Sequence, residues 1–274
     1  MIAPEKKSST FSITGTIMEH EYINEAAWSK ILIFLKGLKN VYLGHESEIK
    51  NFFEAIYWMA RTGAQWRELH SKYGKWNSIY KRFNAWAKKL IWDKFLEFCA
   101  QDPDLENIMI DATIVRAHAC AAGYGVQEVE GLGRSAGGFS SKVHAKVDAL
   151  GNVLKILITP GQKNDVTQAR QLLEGTEDAN VIADKGYDSA DVRNQIEEQN
   201  CVPVIPSRSN SLSPADYDVD LYKERHAVEC FFSKMKYFRR VFSRFDKSAR
   251  NFGAFLSFVG AMLLVTIKSQ RSLK

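Results

Sequence analysis

Three carboxylates in this chain have types and surroundings that could do chemistry. Asp111 sits inside the apolar, β-branched run NIMIDATIVRAHA of residues 107–119. Asp184 follows Val181, Ile182 and Ala183 directly, in NVIADKGYDS. Glu229 lies in LYKERHAVECFFSKMKYFRRVF, residues 221–242. An Asp in mid-strand among Ile and Met is unfavourable unless it is paired or bound to a metal. An Asp where a short buried strand ends stands where ligands and catalytic groups gather in mixed α/β sheets. Taken singly, none marks a site, and a lone Glu among basic residues is most simply a solvated helix face. Together they supply the oxygen donors that a hard cation such as Mg²⁺ takes, alongside substrate phosphate oxygens.

Positioning these groups falls to two strands and a helix. Residues 221–242 contain no Pro or Gly and read as one helix of about six turns at ~3.6 residues per turn. At roughly 100° per residue, Tyr222, Arg225, Glu229 and Lys236 share an arc of about 60°, and Arg240 joins them. Val228, Phe231, Met235, Phe238 and Phe242 form the opposite, core-facing side. Asp184 is followed by Gly186 and by a helix capped by Asp188 or Ser189.

The spacing Tyr222-x2-Arg225-x3-Glu229-x6-Lys236 resembles, without departure, the signature of the DDE transposases of bacterial insertion sequences, in the family named after insertion sequence five. The DAT context of Asp111, the segment GRSAGGFSSKVHAKVD and DKGYDS around Asp184 are similar to its other blocks. The likeness runs from about residue 28 to about residue 267. It implies a catalytic triad of Asp111, Asp184 and Glu229 holding two Mg²⁺ ions, for which Mn²⁺ can substitute. Asp111 would bridge both ions, Asp184 hold one and Glu229 the other. Two such ions activate the attacking oxygen and stabilise the leaving one in an in-line displacement. Water would free a 3′-OH at each transposon end, and that 3′-OH would join target DNA by transesterification, without ATP. Tyr222, Arg225 and Lys236 would hold DNA, with Arg240 beside them. Cys230 stands where relatives often carry Arg, which weakens one expected backbone contact. Pairing two ends implies a homodimer on DNA, and the task places the protein in the bacterial cytoplasm, with the nucleoid.

The resemblance also implies the fold. The expected architecture is α/β: a ribonuclease-H-like, retroviral-integrase-type mixed sheet over residues 103–274. A small all-α, helix-turn-helix-like DNA-binding domain over 18–102 precedes it. Strands are expected at 108–117, 141–148, 153–159, 180–183 and 202–205, and helices at 165–174 and 190–198. In that fold the two Asps come from adjacent central strands and the Glu from a late helix. Residues 185–228 leave no room for a large insertion domain. Helices are expected at 24–36, 47–62, 65–70, 75–90 and 93–104. In KWNSIYKRFNAWAKKL, residues 75–90, Trp76, Ile79, Phe83, Trp86 and Leu90 share one face; Lys81, Arg82, Lys88 and Lys89 share the other. Such a basic helix after a short turn fits the second helix of a helix-turn-helix, with Asn77, Ser78 or Arg82 at bases and the cations on phosphates. The loop 121–138 offers Arg134 to DNA, and Lys142, which lines one face of the next strand with His144 and Lys146, is a further DNA-contact candidate. His118 and His144 are poor candidates for ligands, because Mg²⁺ wants oxygen.

Composition agrees with this reading and does not prove it. The chain has 274 residues, a formal net charge of +5 and a pI of about 8.9, which permits a nucleic-acid partner. Its 4 cysteines lie far apart without a CxxC pair, which suits a reducing compartment and argues against a zinc site. Residues 253–267 form the longest nearly apolar run, and it is expected to be too short to span a membrane. Residues 1–17 read as a poorly ordered extension, with Met18 as an alternative start. Two other functions fit the residues: a ribonuclease-H-like nuclease without strand transfer, and an inactive DNA-binding remnant or repressor.

Overall fold

The computed structural model describes residues 22–101, 103–211 and 214–271; the readings of residues 1–17 and Met18 lie outside them. The first four helices are α1 (Glu25–Gly37), α2 (Glu46–Thr62), α3 (Trp76–Lys88) and α4 (Ile91–Cys99). Their ends follow local chemistry. The Asn24 side chain accepts from the Ala27 N–H and starts α1. His45 and Glu48 form a capping box at α2, which stops at Gly63 in the left-handed region (φ 67°). Instead of the helix expected at 65–70 there are two 3₁₀ turns, Trp66–Glu68 and Ser71–Tyr73, the second halted by Gly74 at φ 95°. Leu90 takes φ 55° and breaks α3 from α4, so it is exposed and not on the apolar face.

The sheet comprises β1 (Asn107–Ala117), β2 (Gly133–Ser135), β3 (Gly138–Val147), β4 (Val153–Pro160), β5 (Asn180–Ala183) and β6 (Val202–Val204). A short β7 (Ser243–Arg244) pairs with the far end of β1. β2 occupies part of the expected 121–138 loop and pairs with β3. β3 runs antiparallel to β1 and β4, whereas β5 pairs parallel with β1 and β6 parallel with β5. Helix α5 (Ala169–Leu172), preceded by a 3₁₀ turn from Asp165 to Gln168, and α6 (Ala190–Glu198) connect the parallel strands. Three antiparallel strands, then helix, strand, helix, strand, helix: this is the ribonuclease-H-like architecture expected, with an all-helical region before it.

Strand alternation divides the sheet into two apolar faces. Ile108, Ile110, Val181 and Ala183 pack on α5, α6 and Tyr187. Met109, Val143, Ala145, Val147 and Ile182 join a much larger core shared with α1–α4. The last helices are α7 (Val219–Tyr222), α8 (His226–Lys236), α9 (Arg239–Phe242) and α10 (Ala249–Arg271).

Helix α10 makes that sharing possible. It packs against α4, β4, α1 and α3, with Phe252, Phe255, Leu256 and Phe258 fully buried. Ser257 donates to the Asp93 carboxylate of α4 at 2.7 Å. The helix is 23 residues long, longer than the apolar run in it suggested, and its 18-residue stretch from Ala249 to Thr266 is apolar enough to cross a membrane by composition. Of that stretch 72% is buried in the protein, so it is a core helix. The C-terminal segment thereby completes the bundle begun by the N-terminal one.

Candidate active site

Asp111 and Asp184 stand side by side. The parallel register pairs Ile110 with Ala183, and each Asp is the next residue along its strand. Asp111 Oδ1 accepts from the Ala112 N–H at 2.7 Å, and its side chain is 17% exposed. Asp184 ends β5 and begins a 3₁₀ turn, where its Oδ1 accepts from the Gly186 N–H at 2.8 Å. Glu229 projects from α8, which packs on β1 and β3 and buries its Val228, Phe232 and Met235. Arg225 connects them. Its Nη1 lies 3.0 Å from Asp111 Oδ2, and its Nη2 donates to Glu229 Oε1. Tyr222 places its ring 6.0 Å from the Arg225 guanidinium. Asn107 donates to Glu224 at 2.8 Å, tying the turn that carries Arg225 to the start of β1.

Burial pushes the Asp111 carboxyl up to about 6, against the lowering pull of the Ala112 N–H and Arg225, and Asp184 and Asp165 add to the rise. Arg225 offsets that burial cost only in part. The donor set of Asp111, Asp184 and Glu229 is all oxygen, as Mg²⁺ requires. Among the described residues no three His, Cys, Asp or Glu side chains converge closely enough to hold an ion, and a guanidinium spans Asp111 and Glu229.

Gly186 has a steric reason in this turn. A Cβ there would meet Asp184 Oδ1 at 2.8 Å, closer than real Cβ contacts. The Gly186→Ala variant is expected to turn Asp184 away while leaving the sheet intact. Activity should fall at least tenfold with less than about 1.5 kcal/mol lost in urea unfolding. An equally active variant would show that this turn does not set Asp184.

Sequence reasoning missed two residues beside the triad. Tyr187 is fully buried with no hydrogen-bond partner for its hydroxyl among the described residues, and burial near Asp165, Asp111 and Asp184 drives its pKa well up. Asp165 sits at the start of a 3₁₀ turn and takes Lys142 at 2.9 Å. Only its position as a turn-starting acid was legible. Arg208 also escaped notice: it donates to the carbonyls of Lys185 and Gly186 and clamps the turn after β5.

Several expected positions are corrected. Residues 221–242 are not one helix. A 3₁₀ turn at Lys223–Arg225 interrupts them, and Phe238 is extended between α8 and α9. The second break is tertiary. Arg61 of α2 donates to the Tyr237 carbonyl at 2.8 Å, and Tyr57 meets the Phe238 ring edge-on at 5.4 Å. The break turns Arg240 inward, where it is 3% exposed and paired with Asp246, so it leaves the Glu229 face. Phe242 conversely becomes 60% exposed. Lys142 donates to the Lys163 carbonyl besides its ion pair with Asp165, and Lys146 is buried against Thr176. His144 is fully buried against Thr159 at 2.8 Å, and His118 stacks on Phe245. Arg82 donates to the Tyr42 and Leu43 carbonyls and covers the Phe52 ring, while Asn77, Ser78, Lys81, Lys88 and Lys89 are exposed. Arg134 is exposed, 4.8 Å from the Phe139 ring. Lys236 is exposed beside an apolar groove lined by Thr113, Ile114, Met235 and Phe242.

Comparison with known proteins adds an independent line. Residues 102–264 match the family model "Transposase DDE domain", and residues 23–96 match "Putative transposase of IS4/5 family (DUF4096)". Over 129 residues the chain is 40% identical to the "Putative transposase for insertion sequence element IS6501" of Brucella ovis, covering 45% of this chain and 97% of that one. It is 32% identical over 128 residues to the "Putative transposase for insertion sequence element IS402" of Burkholderia cepacia, covering 42% and 58%. Among solved structures, the cryo-EM structure of the piggyBac transposase synaptic complex with hairpin DNA aligns at 12% identity and TM-score 0.47, over 90% of this chain and 72% of that one.

Proposed function

We propose, given that the chain belongs to the transposase DDE domain family, that it binds the terminal inverted repeats of an insertion sequence, cuts there and joins the freed 3′-OH ends to target DNA. The observation that supports this best is the pair of abreast acids, Asp111 and Asp184, with Glu229 linked to Asp111 through Arg225.

Asp111, Asp184 and Glu229 would hold two Mg²⁺, or Mn²⁺ in its place. Bound there, the ions supply activation of the attacking oxygen and stabilisation of the leaving one. Asp111, its carboxyl pushed up to about 6 by burial, is ionised at neutral pH and is paired with Arg225 in the free protein. Lys236, exposed two turns beyond Glu229, and Tyr222 would hold a phosphate beside the scissile one. Asn77 and Ser78 on α3 would read bases, with Lys81, Lys88 and Lys89 on the backbone and Arg134 as a further contact. Arg82, turned onto the 42–43 carbonyls, shapes this surface instead. Two ends must be cut in concert, so the working form is a homodimer on DNA. Its substrate places it in the cytoplasm with the nucleoid.

The deciding experiment is strand transfer by the purified chain with Mg²⁺ and a labelled duplex carrying the element's own end. Joined product that Glu229→Ala abolishes, with binding of the end retained, is the expected result. Cleavage without joining would replace this reading with a nuclease. Intact binding without any reaction would leave a DNA-binding remnant.

A further inference from the structure

We infer that Arg225 is an exchangeable occupant of the cation space between Asp111 and Glu229, which it vacates for a DNA phosphate, so that divalent ions bind tightly only once DNA is in place. The inference rests on the triad being the metal site.

Three observations carry it. First, the contacts fall on the atoms a metal would need. Arg225 Nη1 takes Asp111 Oδ2 and its Nη2 takes Glu229 Oε1, so one guanidinium joins a strand acid to a helix acid 118 residues apart in number. Second, Arg225 cannot be silenced in place. A guanidinium is never deprotonated in a protein and has five donors and no acceptor. A divalent ion beside it would suffer like-charge repulsion in a half-buried site, so one cation must leave before the other arrives. Third, Arg225 has an alternative place to lie. It stands where the 3₁₀ turn Lys223–Arg225 passes into α8, its side chain is 21% exposed, and the Tyr222 ring beside it offers a face on which a guanidinium can rest.

A phosphate is the natural competitor for this arginine. Guanidinium and phosphate match in a two-pronged geometry and form charge-assisted bonds as strong as those to carboxylate. DNA arriving at the site therefore draws off the cation that holds the acids and leaves them to the metal. Free protein would then hold its ions weakly, which spares other DNA from cutting. By linkage, the metal must tighten DNA binding by the same factor as DNA tightens metal binding.

The test reads metal binding, not turnover. Free Mn²⁺ is titrated against the DNA-free full chain and followed by electron paramagnetic resonance. Arg225→Gln is expected to bind Mn²⁺ about tenfold tighter than the wild type, and Asp111→Ala to lose that binding. Arg225→Lys, which keeps the charge but cannot span both acids, should fall between. It also serves as the readout if the Gln variant does not fold. A short duplex, corrected for its own Mn²⁺ uptake, should tighten the wild type by a larger factor than either variant. Equal Mn²⁺ affinity of wild type and both variants, at a site that Asp111→Ala removes, would overturn the exchange while leaving the metal site standing. Binding that Asp111→Ala leaves untouched would overturn the metal site, and the exchange with it.

Discussion

The Asp111→Asn variant is expected to lose the proposed strand-transfer activity and to melt above the wild type at neutral pH. Both effects have one cause. Burial raises the Asp111 carboxyl from 3.8 to about 6, and the Ala112 N–H and Arg225 only partly offset it. Above pH 6 the folded protein carries a charge that it would be better without, whereas the unfolded chain bears it in water. Each unit of such a shift corresponds to about 1.36 kcal/mol. The side chain is 17% exposed, so screening removes only part of this, and a penalty of roughly 1–3 kcal/mol remains at pH 7.5. Asn fills the same volume without the charge. The gain should amount to several degrees in melting temperature, since about 1 kcal/mol moves a chain of this size by 2–4 °C.

The pH dependence gives this its edge. Because the folded pKa is raised, the stability linked to this proton is fully present below about 4 and is lost as pH rises through about 6. Wild type and Asn variant should therefore converge as pH falls from 6 towards 4 and separate above it. Scanning calorimetry at pH 4.5 and 7.5 decides the matter. A variant that melts at or below the wild type at pH 7.5 would show that Asp111 is not strained by its surroundings. The wild-type reaction should rise with pH through the same region, because only the ionised carboxylate can hold a cation.

What the sequence made legible, and what it hid, follow from the range of the forces. Asp111 and Asp184 stood out because an acid next to Ile, Met or Val carries a desolvation cost that any reader of the chain can see. Their abreast placement comes from the parallel register of β1 on β5, which pairs Ile110 with Ala183, the residue before each Asp. The break at Phe238 was hidden because no Pro or Gly marks it. It comes from Arg61 and Tyr57, some 176 residues earlier in the hydrogen-bonded pair Arg61–Tyr237. A helical wheel assumes that the helix continues, so it puts Arg240 and Phe242 on the wrong sides. Lys142 likewise read as an outward cation because Asp165, its partner, lies across a strand and a loop. The merging of α10 with the N-terminal helices was beyond local reading for the same reason: a 23-residue apolar helix does not say what will cover it.

Replacing Arg240 is expected to cost much of the chain's stability. Its Nε and Nη2 pair with the two oxygens of Asp246 at 3.0 and 2.9 Å, and its Nη1 donates to the Ala64 carbonyl at 2.8 Å. The guanidinium lies 4.6 Å from the Phe255 ring and 5.3 Å from Trp66. It thus ties α9 to the turn after α2 and to α10, at the seam between the helical region and the sheet. Arg240→Ala would leave Asp246, itself 6% exposed, as an unpaired buried charge, which costs about 3–5 kcal/mol. Urea unfolding should show that loss. Removing both partners, in Arg240→Ala with Asp246→Ala, should recover part of it, because the orphaned charge is gone. A phosphate contact would behave in the opposite way: the single variant would unfold like the wild type, and the slope of log affinity for DNA against log salt would shrink by about one. Unchanged stability in Arg240→Ala would return this residue to the DNA face. The expected loss instead confines the cationic face around Glu229 to Arg225 and Lys236. Of these two, Arg225 already holds two acids, whereas Lys236 is exposed.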